Sequence, residues 1–113
     1  MHEFSIVSEM IEKISKIKQE QKWIQVTRVQ LKMGVLSGVE RQAIENCFEI
    51  LTKEWSGGSP VLDIIIEPVE FHCSNCCKES LLETTNFICS DCGATVGSTH
   101  GGRNLYFSEM EGL

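Results

Sequence analysis

Apolar residues recur at helical spacing along the first stretch of the chain. Val7, Met10, Ile11, Ile14 and Ile17 form one stripe, with Glu12, Lys13, Lys16 and Lys18 elsewhere on the wheel. This predicts an amphipathic helix from Phe4 to about Gln21, packed on a core. From Ile24 to Met33 the period changes to two, Thr27, Val29, Leu31 and Met33 alternating against Arg28, Gln30 and Lys32, as in a half-buried strand. Gly34 to Gly38 reads as a turn, and Ser37-Gly38-Val39-Glu40 has the form of a capping box opening a second helix. Ile44, Cys47, Phe48, Leu51 and Trp55 give that helix its apolar stripe, which breaks at Ser56-Gly57-Gly58-Ser59-Pro60. Val61 to Glu67, with Leu62, Ile64 and Ile66 to one side, reads as a second strand ending at Pro68. Asn104 to Glu111 reads as the last strand, Leu105 and Phe107 alternating against Tyr106 and Ser108.

These elements predict an α+β fold: two helices on a three-stranded, mostly antiparallel sheet. Before the final strand stand Cys73-Ser74-Asn75-Cys76 and Cys89-Ser90-Asp91-Cys92, with twelve residues between the pairs. Each Cys-x-x-Cys puts two thiolates on one tight turn, and the segment between is long enough to fold back as a hairpin. Two such turns facing each other make the tetrahedral sulfur cage of a structural zinc site. Disulfides and a thioredoxin-like redox pair are the competing readings; the redox pair wants a βαβ setting, and nothing around Cys73 looks like one. The expected organisation is a zinc-ribbon module at 69–100, inserted into a discontinuous domain of residues 1–68 plus 101–113. Cys47, mid-helix on the apolar stripe, reads as a buried structural cysteine. Cys77 reads as a spare thiol beside the site, able in principle to replace Cys76 in a Cys-x3-Cys pair.

Composition narrows the function. A chain of 113 residues has room for one compact core and a small satellite. No apolar run approaches the roughly 20 residues that span a bilayer, and the start lacks the basic and apolar stretches of a signal peptide. Six cysteines, four of them in metal spacing, fit a reducing compartment; the expectation is a soluble cytoplasmic protein. The net charge is −6, and from Val69 to His100 the one base, Lys78, stands against Glu70, Glu79, Glu83 and Asp91. A nucleic-acid ribbon needs a basic face for phosphates, so no nucleic-acid partner is expected. A shell closed by four cysteines leaves no open position for zinc catalysis, and the chain offers no Ser/His/Asp set and no phosphate-cradling glycine loop. His72, next to Cys73, could hydrogen-bond a zinc-bound sulfur or exchange with it. His100, before Gly101-Gly102, reads as a hinge-loop residue.

A second metal candidate lies at the start, Met1-His2-Glu3. The Met1 amine, the His2 backbone amide and the His2 imidazole can close adjacent chelate rings around one ion. An all-nitrogen planar set suits Ni(II) or Cu(II), and the amine's ordinary pKa of about 7.7–8.0 lets a metal displace its proton near neutrality. Glu3 or Glu40 could add an oxygen ligand, although Glu40 also has its place in the capping box.

Taken together, Met1-His2-Glu3 before an amphipathic helix, Gly34-Val35-Leu36-Ser37-Gly38-Val39-Glu40 after the first strand, Phe48-Glu49, the cysteine quartet and Gly102-Arg103-Asn104-Leu105 resemble the HypA/HybF family of hydrogenase nickel incorporation proteins over essentially the whole chain. The resemblance implies a nickel metallochaperone for [NiFe]-hydrogenase maturation and, in some organisms, urease. It implies Ni(II) as cargo at Met1, His2 and Glu3, with Glu40 at the position of an acidic residue also implicated, and structural Zn(II) at Cys73, Cys76, Cys89 and Cys92. The implied partners are a HypB-type GTPase and the precursor of the hydrogenase large subunit, with the protein itself a monomer or weak homodimer. Two positions depart from the family pattern: Cys77 stands where glycine is frequent, and Asn104 where an acidic residue is common. The rival reading is a zinc-ribbon protein–protein interaction module with no second metal.

Overall fold

The computed structural model describes residues 3–113. In chain order the elements are α1 (Glu3–Glu20), β1 (Val26–Gly34), α2 (Arg41–Thr52), β2 (Val61–Glu67), β3 (Val69–Cys73), β4 (Glu79–Leu82), β5 (Gly97–His100) and β6 (Leu105–Gly112). The strands form two three-stranded sheets, ordered β2-β1-β6 and β4-β3-β5. The α+β fold with two helices is therefore as expected, and the ribbon contributes a second small sheet that periodicity did not reveal. Two compact units partition the chain, one of Met1–Leu31, Val39–Ile64 and Phe107–Leu113, the other of Lys32–Gly38 and Ile65–Tyr106.

In the first unit the core follows the sequence pattern. Val7, Met10 and Ile14 of α1, Ile44 and Phe48 of α2, Val26, Val29 and Leu31 of β1, and Ile64 of β2 are buried. Nine apolar side chains of this kind, each contributing about 1.5–3 kcal/mol when fully buried, outweigh any single polar contact of the unit. Thr52 ends α2 from inside: its hydroxyl, buried, donates to the Phe48 carbonyl at 2.7 Å and lies 3.0 Å from the Ser59 hydroxyl, which fixes the glycine-rich loop against the helix. Cys47 is only half-buried, because it sits at the margin of the stripe.

The capping box does not form. Helix α2 starts at Arg41, with Glu40 itself at the N-cap in extended backbone (φ −90°, ψ 123°) and no side-chain cap. Ser37, the expected cap, lies in the preceding turn, where its amide donates to the Gly34 carbonyl at 3.0 Å. Its hydroxyl oxygen is buried and has no partner among the described residues. The Glu40 amide instead donates to the Glu3 carboxylate at 3.3 Å, so a residue of α1 does what the glutamate at the third helical position does in a capping box.

Strand β6 departs from simple alternation. Tyr106 and Ser108 are exposed as expected, but so are Glu109 and Glu111. Exposure therefore stops alternating at Ser108-Glu109. The Ser108 hydroxyl lies 2.8 Å from Gln30 Oε1, and Arg28 meets Asp63 at 2.7 Å and Glu109 and Glu111 at 3.5 Å each.

In the second unit β3 is the central strand and pairs antiparallel on both sides, Val69 with Leu82 through His72 with Glu79, and Glu70 with His100 through Cys73 with Gly97. Alternation along β3 buries Val69, Phe71 and Cys73 and exposes Glu70 and His72. Two glycine segments singled out in the sequence meet here. Gly34 donates to the Asn104 carbonyl at 2.7 Å and Leu36 to the Gly102 carbonyl at 2.6 Å. A Cβ on Gly34 would collide with the Gly102 carbonyl, so this close backbone approach admits only glycine.

Candidate metal centre

The four cysteine sulfurs converge. All lie within 4.8 Å of one another, with Cys73 and Cys92 Sγ 3.6 Å apart and Cys76 and Cys89 Sγ also 3.6 Å apart. A tetrahedral ion with metal–sulfur bonds of about 2.3 Å needs sulfurs about 3.8 Å apart, so the cage has the right size. All six cysteines are free thiols, which removes the disulfide reading for this arrangement.

Two matching turns build the cage. In the first, the Cys73 carbonyl accepts from the Cys77 amide at 3.0 Å and the Cys73 amide donates to the Lys78 carbonyl at 3.0 Å. In the second, the Cys89 carbonyl accepts from Gly93 at 3.0 Å and the Cys89 amide donates to Ala94 at 2.8 Å. The residue four places after the first cysteine has positive φ in both, 62° at Cys77 and 74° at Gly93. Behind the cage Phe71, Cys73 and Cys89 form a small buried cluster, joined by Cys76, Leu82, Phe87 and Ala94, and Phe71 stacks on Phe87 with ring centroids 6.4 Å apart.

Hydrogen-bond donors aimed at sulfur set the charge of the site. The Asn75 side-chain amide donates to Cys92 Sγ at 3.5 Å; with the Ala94 amide it lowers the Cys92 thiol to about 6. Amides of Cys92 and Asp91 likewise hold Cys89 below its ordinary value. At Cys76 the Lys78 amide favours the thiolate, but burial and the sulfurs of Cys89, Cys73 and Cys92 outweigh it and push the thiol up to about 12. Four sulfurs this close cannot all ionise without a cation among them. A divalent ion removes that conflict, and the donor set, soft and four-coordinate, fits zinc. Asn75 was legible only as a spacer in the sequence; its role comes from the turn that aims its amide across to the other pair.

Of the remaining candidates, His72 lies on the outward face of β3, half exposed, its Nδ1 3.8 Å from Glu79 Oε1. It is not in the sulfur group. Cys77 is exposed and is likewise outside that group. His100 is exposed at the end of β5, opposite Glu70. Met1 and His2 lie outside the described residues, whereas Glu3 and Glu40 are brought together by the hydrogen bond between them.

A family model described as "Hydrogenase/urease nickel incorporation, metallochaperone, hypA" matches residues 1–112. The chain belongs to the HypA family. Hydrogenase maturation factor HypA of Shewanella oneidensis is 30% identical over 111 residues, covering 98% of this chain and 94% of the relative. HypA of Aquifex aeolicus is 32% identical over 111 residues, covering 98% and 96%, and HypA of Rhodobacter capsulatus is 32% identical over 113 residues, covering all of both chains. The solution structure of the Ni metallochaperone HypA from Helicobacter pylori shares the fold, with a TM-score of 0.65 at 23% identity over 100% of this chain and 98% of that one. Among the described residues no helix is long and apolar enough to cross a membrane.

Proposed function

We propose that this protein is a cytoplasmic nickel metallochaperone that carries Ni(II) at its N-terminus and delivers it to the large subunit of [NiFe]-hydrogenase during maturation, and to urease where one is served. Membership of the HypA family over residues 1–112 carries this reading. The cargo ligands are the Met1 amine, the His2 amide and imidazole, and an oxygen from Glu3, with Glu40 the further acidic candidate. The 3.3 Å contact between the Glu40 amide and the Glu3 carboxylate supports the pairing, since it holds these two carboxyl-bearing residues next to each other. Glu3 has to serve both contacts or exchange one for the other.

A planar nitrogen set suits Ni(II) because its d-electrons favour that geometry. Few anchored ligands let the ion leave by ligand exchange on a docked partner, with no bond made or broken in a substrate. The cysteine cage at Cys73, Cys76, Cys89 and Cys92 holds structural Zn(II); its closed shell leaves no position for cargo. In this reading residues 1–68 plus 101–113 form the nickel domain and 69–100 the zinc ribbon. The partners are a HypB-type GTPase and the large-subunit precursor, and the protein acts as a monomer or weak homodimer.

Isothermal titration of nickel into zinc-loaded protein with its native terminus is the test, set beside a form extended by a few residues and a His2→Ala variant. The expected outcome is one tight site in the native form and a loss of at least tenfold in affinity in both others. Equal affinity in all three, or one equivalent of zinc with nickel bound no tighter than by a histidine peptide, would leave a plain zinc-ribbon interaction module.

A further inference from the structure

We propose that the free edge of β2 is a docking site for an extended, basic and apolar protein segment, which adds as a fourth strand beside Val61–Ile64. The order β2-β1-β6 leaves two edges, and they are not alike. Edge strands left flat and uncharged invite pairing, and proteins blunt them with bulges and charges. Strand β6 carries two exposed carboxylates, Glu109 and Glu111, each 3.5 Å from Arg28. Val61–Ile64 carries one charged residue, Asp63, which the same Arg28 holds more closely at 2.7 Å, and Val61 is left 63% exposed.

A hollow of about 310 Å³ opens beside this edge, lined by Glu45, Phe48 and Glu49 of α2 and by Ser59, Pro60 and Leu62. Its floor is apolar and its rim is acidic. Glu45 shares its charge with Arg41 at 3.3 Å, whereas Glu49 makes no ion pair among the described residues. Alternation turns Leu62 and Ile64 toward α2 and Val61 and Asp63 away from it. An added strand would therefore turn every second side chain into the hollow, an apolar one against Phe48 and Leu62 and a lysine or arginine against Glu49. Main-chain bonds to the edge give affinity in this mode and the hollow gives selectivity. A second copy of this chain is the poorer occupant, because a symmetric β2–β2 contact would bring two acidic rims together in a molecule of net charge −6.

The test uses the full zinc-loaded chain, ¹⁵N-labelled, and two six-residue peptides: one alternating valine with lysine, the other alternating valine with glutamate. The basic peptide should shift and protect the amides of 61–64, shift those around Phe48, and bind at least about tenfold more tightly than the acidic one. Glu49→Lys, an exposed change whose fold is checked by zinc content and thermal midpoint, should reverse that preference. Absence of any change at 61–64 overturns the proposal, as does equal binding of the two peptides. Changes centred on β6 do so too, and so does self-association through β2 that the basic peptide fails to displace.

Discussion

Cys77 and Gly93 stand at the same place in the two sulfur turns, four residues after the first cysteine, with φ of 62° and 74°. That conformation brings the amide of each back onto the carbonyl of Cys73 or Cys89, and it costs a residue with a Cβ about 1–2 kcal/mol. Gly93 meets that backbone demand without cost, and Cys77 meets it at some strain without entering the sulfur group. Nothing within 4 Å would touch a Cβ at Gly93, so strain there is conformational alone. We expect Gly93→Ala to lower the stability of the zinc-loaded protein by about 1–2 kcal/mol and Cys77→Gly to keep one equivalent of zinc with no loss of stability; chemical denaturation with metal analysis checks both. Loss of zinc in Cys77→Gly would mean that Cys77 is a ligand. The four sulfurs of the cage could be read from spacing because metal chemistry fixes both residue type and distance. The strain at Cys77 could not, because a cysteine in a left-handed turn looks like any other cysteine in a sequence.

At the scale of elements, the long ones announced themselves and the short ones did not. Val7, Met10 and Ile14, or Val29, Leu31 and Met33, repeat often enough to fix a period, and both lie where the pattern places them. Strand β5 is Gly-Ser-Thr-His, four residues of which none is a large hydrophobe, and it is strand only because β3 offers a pairing edge. The start of α2 misled for another reason. Ser37 to Glu40 has the letters of a capping box, but the turn from Gly34 is tied to Gly102 and Asn104 and carries Ser37 past the position from which it could cap. That leaves Glu40 at the N-cap with its side chain unused there. Serine caps well where glutamate makes no bond, so Glu40→Ser should stabilise the fold by about 0.5–2 kcal/mol, while the backbone amide stays available to Glu3. If Glu40 is also a nickel ligand, the same variant loses nickel affinity. The expected result is a higher thermal midpoint together with weaker nickel binding; weaker binding with a lower midpoint would mean that Glu40 acts through the fold.

For the whole molecule, the dependence of the second unit on its metal follows from how it is packed. In that unit, Lys32–Gly38 and Ile65–Tyr106, the buried cluster behind the cage is Phe71, Cys73 and Cys89 with four partly buried neighbours, and two of those three residues belong to the sulfur group itself. Removing the ion therefore leaves Cys76, whose thiol is pushed up to about 12, protonated among three crowded sulfurs. The helices and their core of Val7, Met10, Ile14, Ile44 and Phe48 contain no ligand of this site. A strong zinc chelator should then collapse the amide dispersion of 69–100 while the signals of α1 and α2 keep theirs. The sign of the pH effect is set by the same thiol. Zinc must displace the Cys76 proton at neutral pH, so affinity weakens as pH falls, by about tenfold per unit for each proton displaced. Competition with a chromophoric chelator from pH 6 to pH 8 measures that slope. A flat profile would mean that Cys76 binds the ion without losing a proton, and a ribbon that stays folded in chelator would mean that Phe71 and Phe87 suffice as a core.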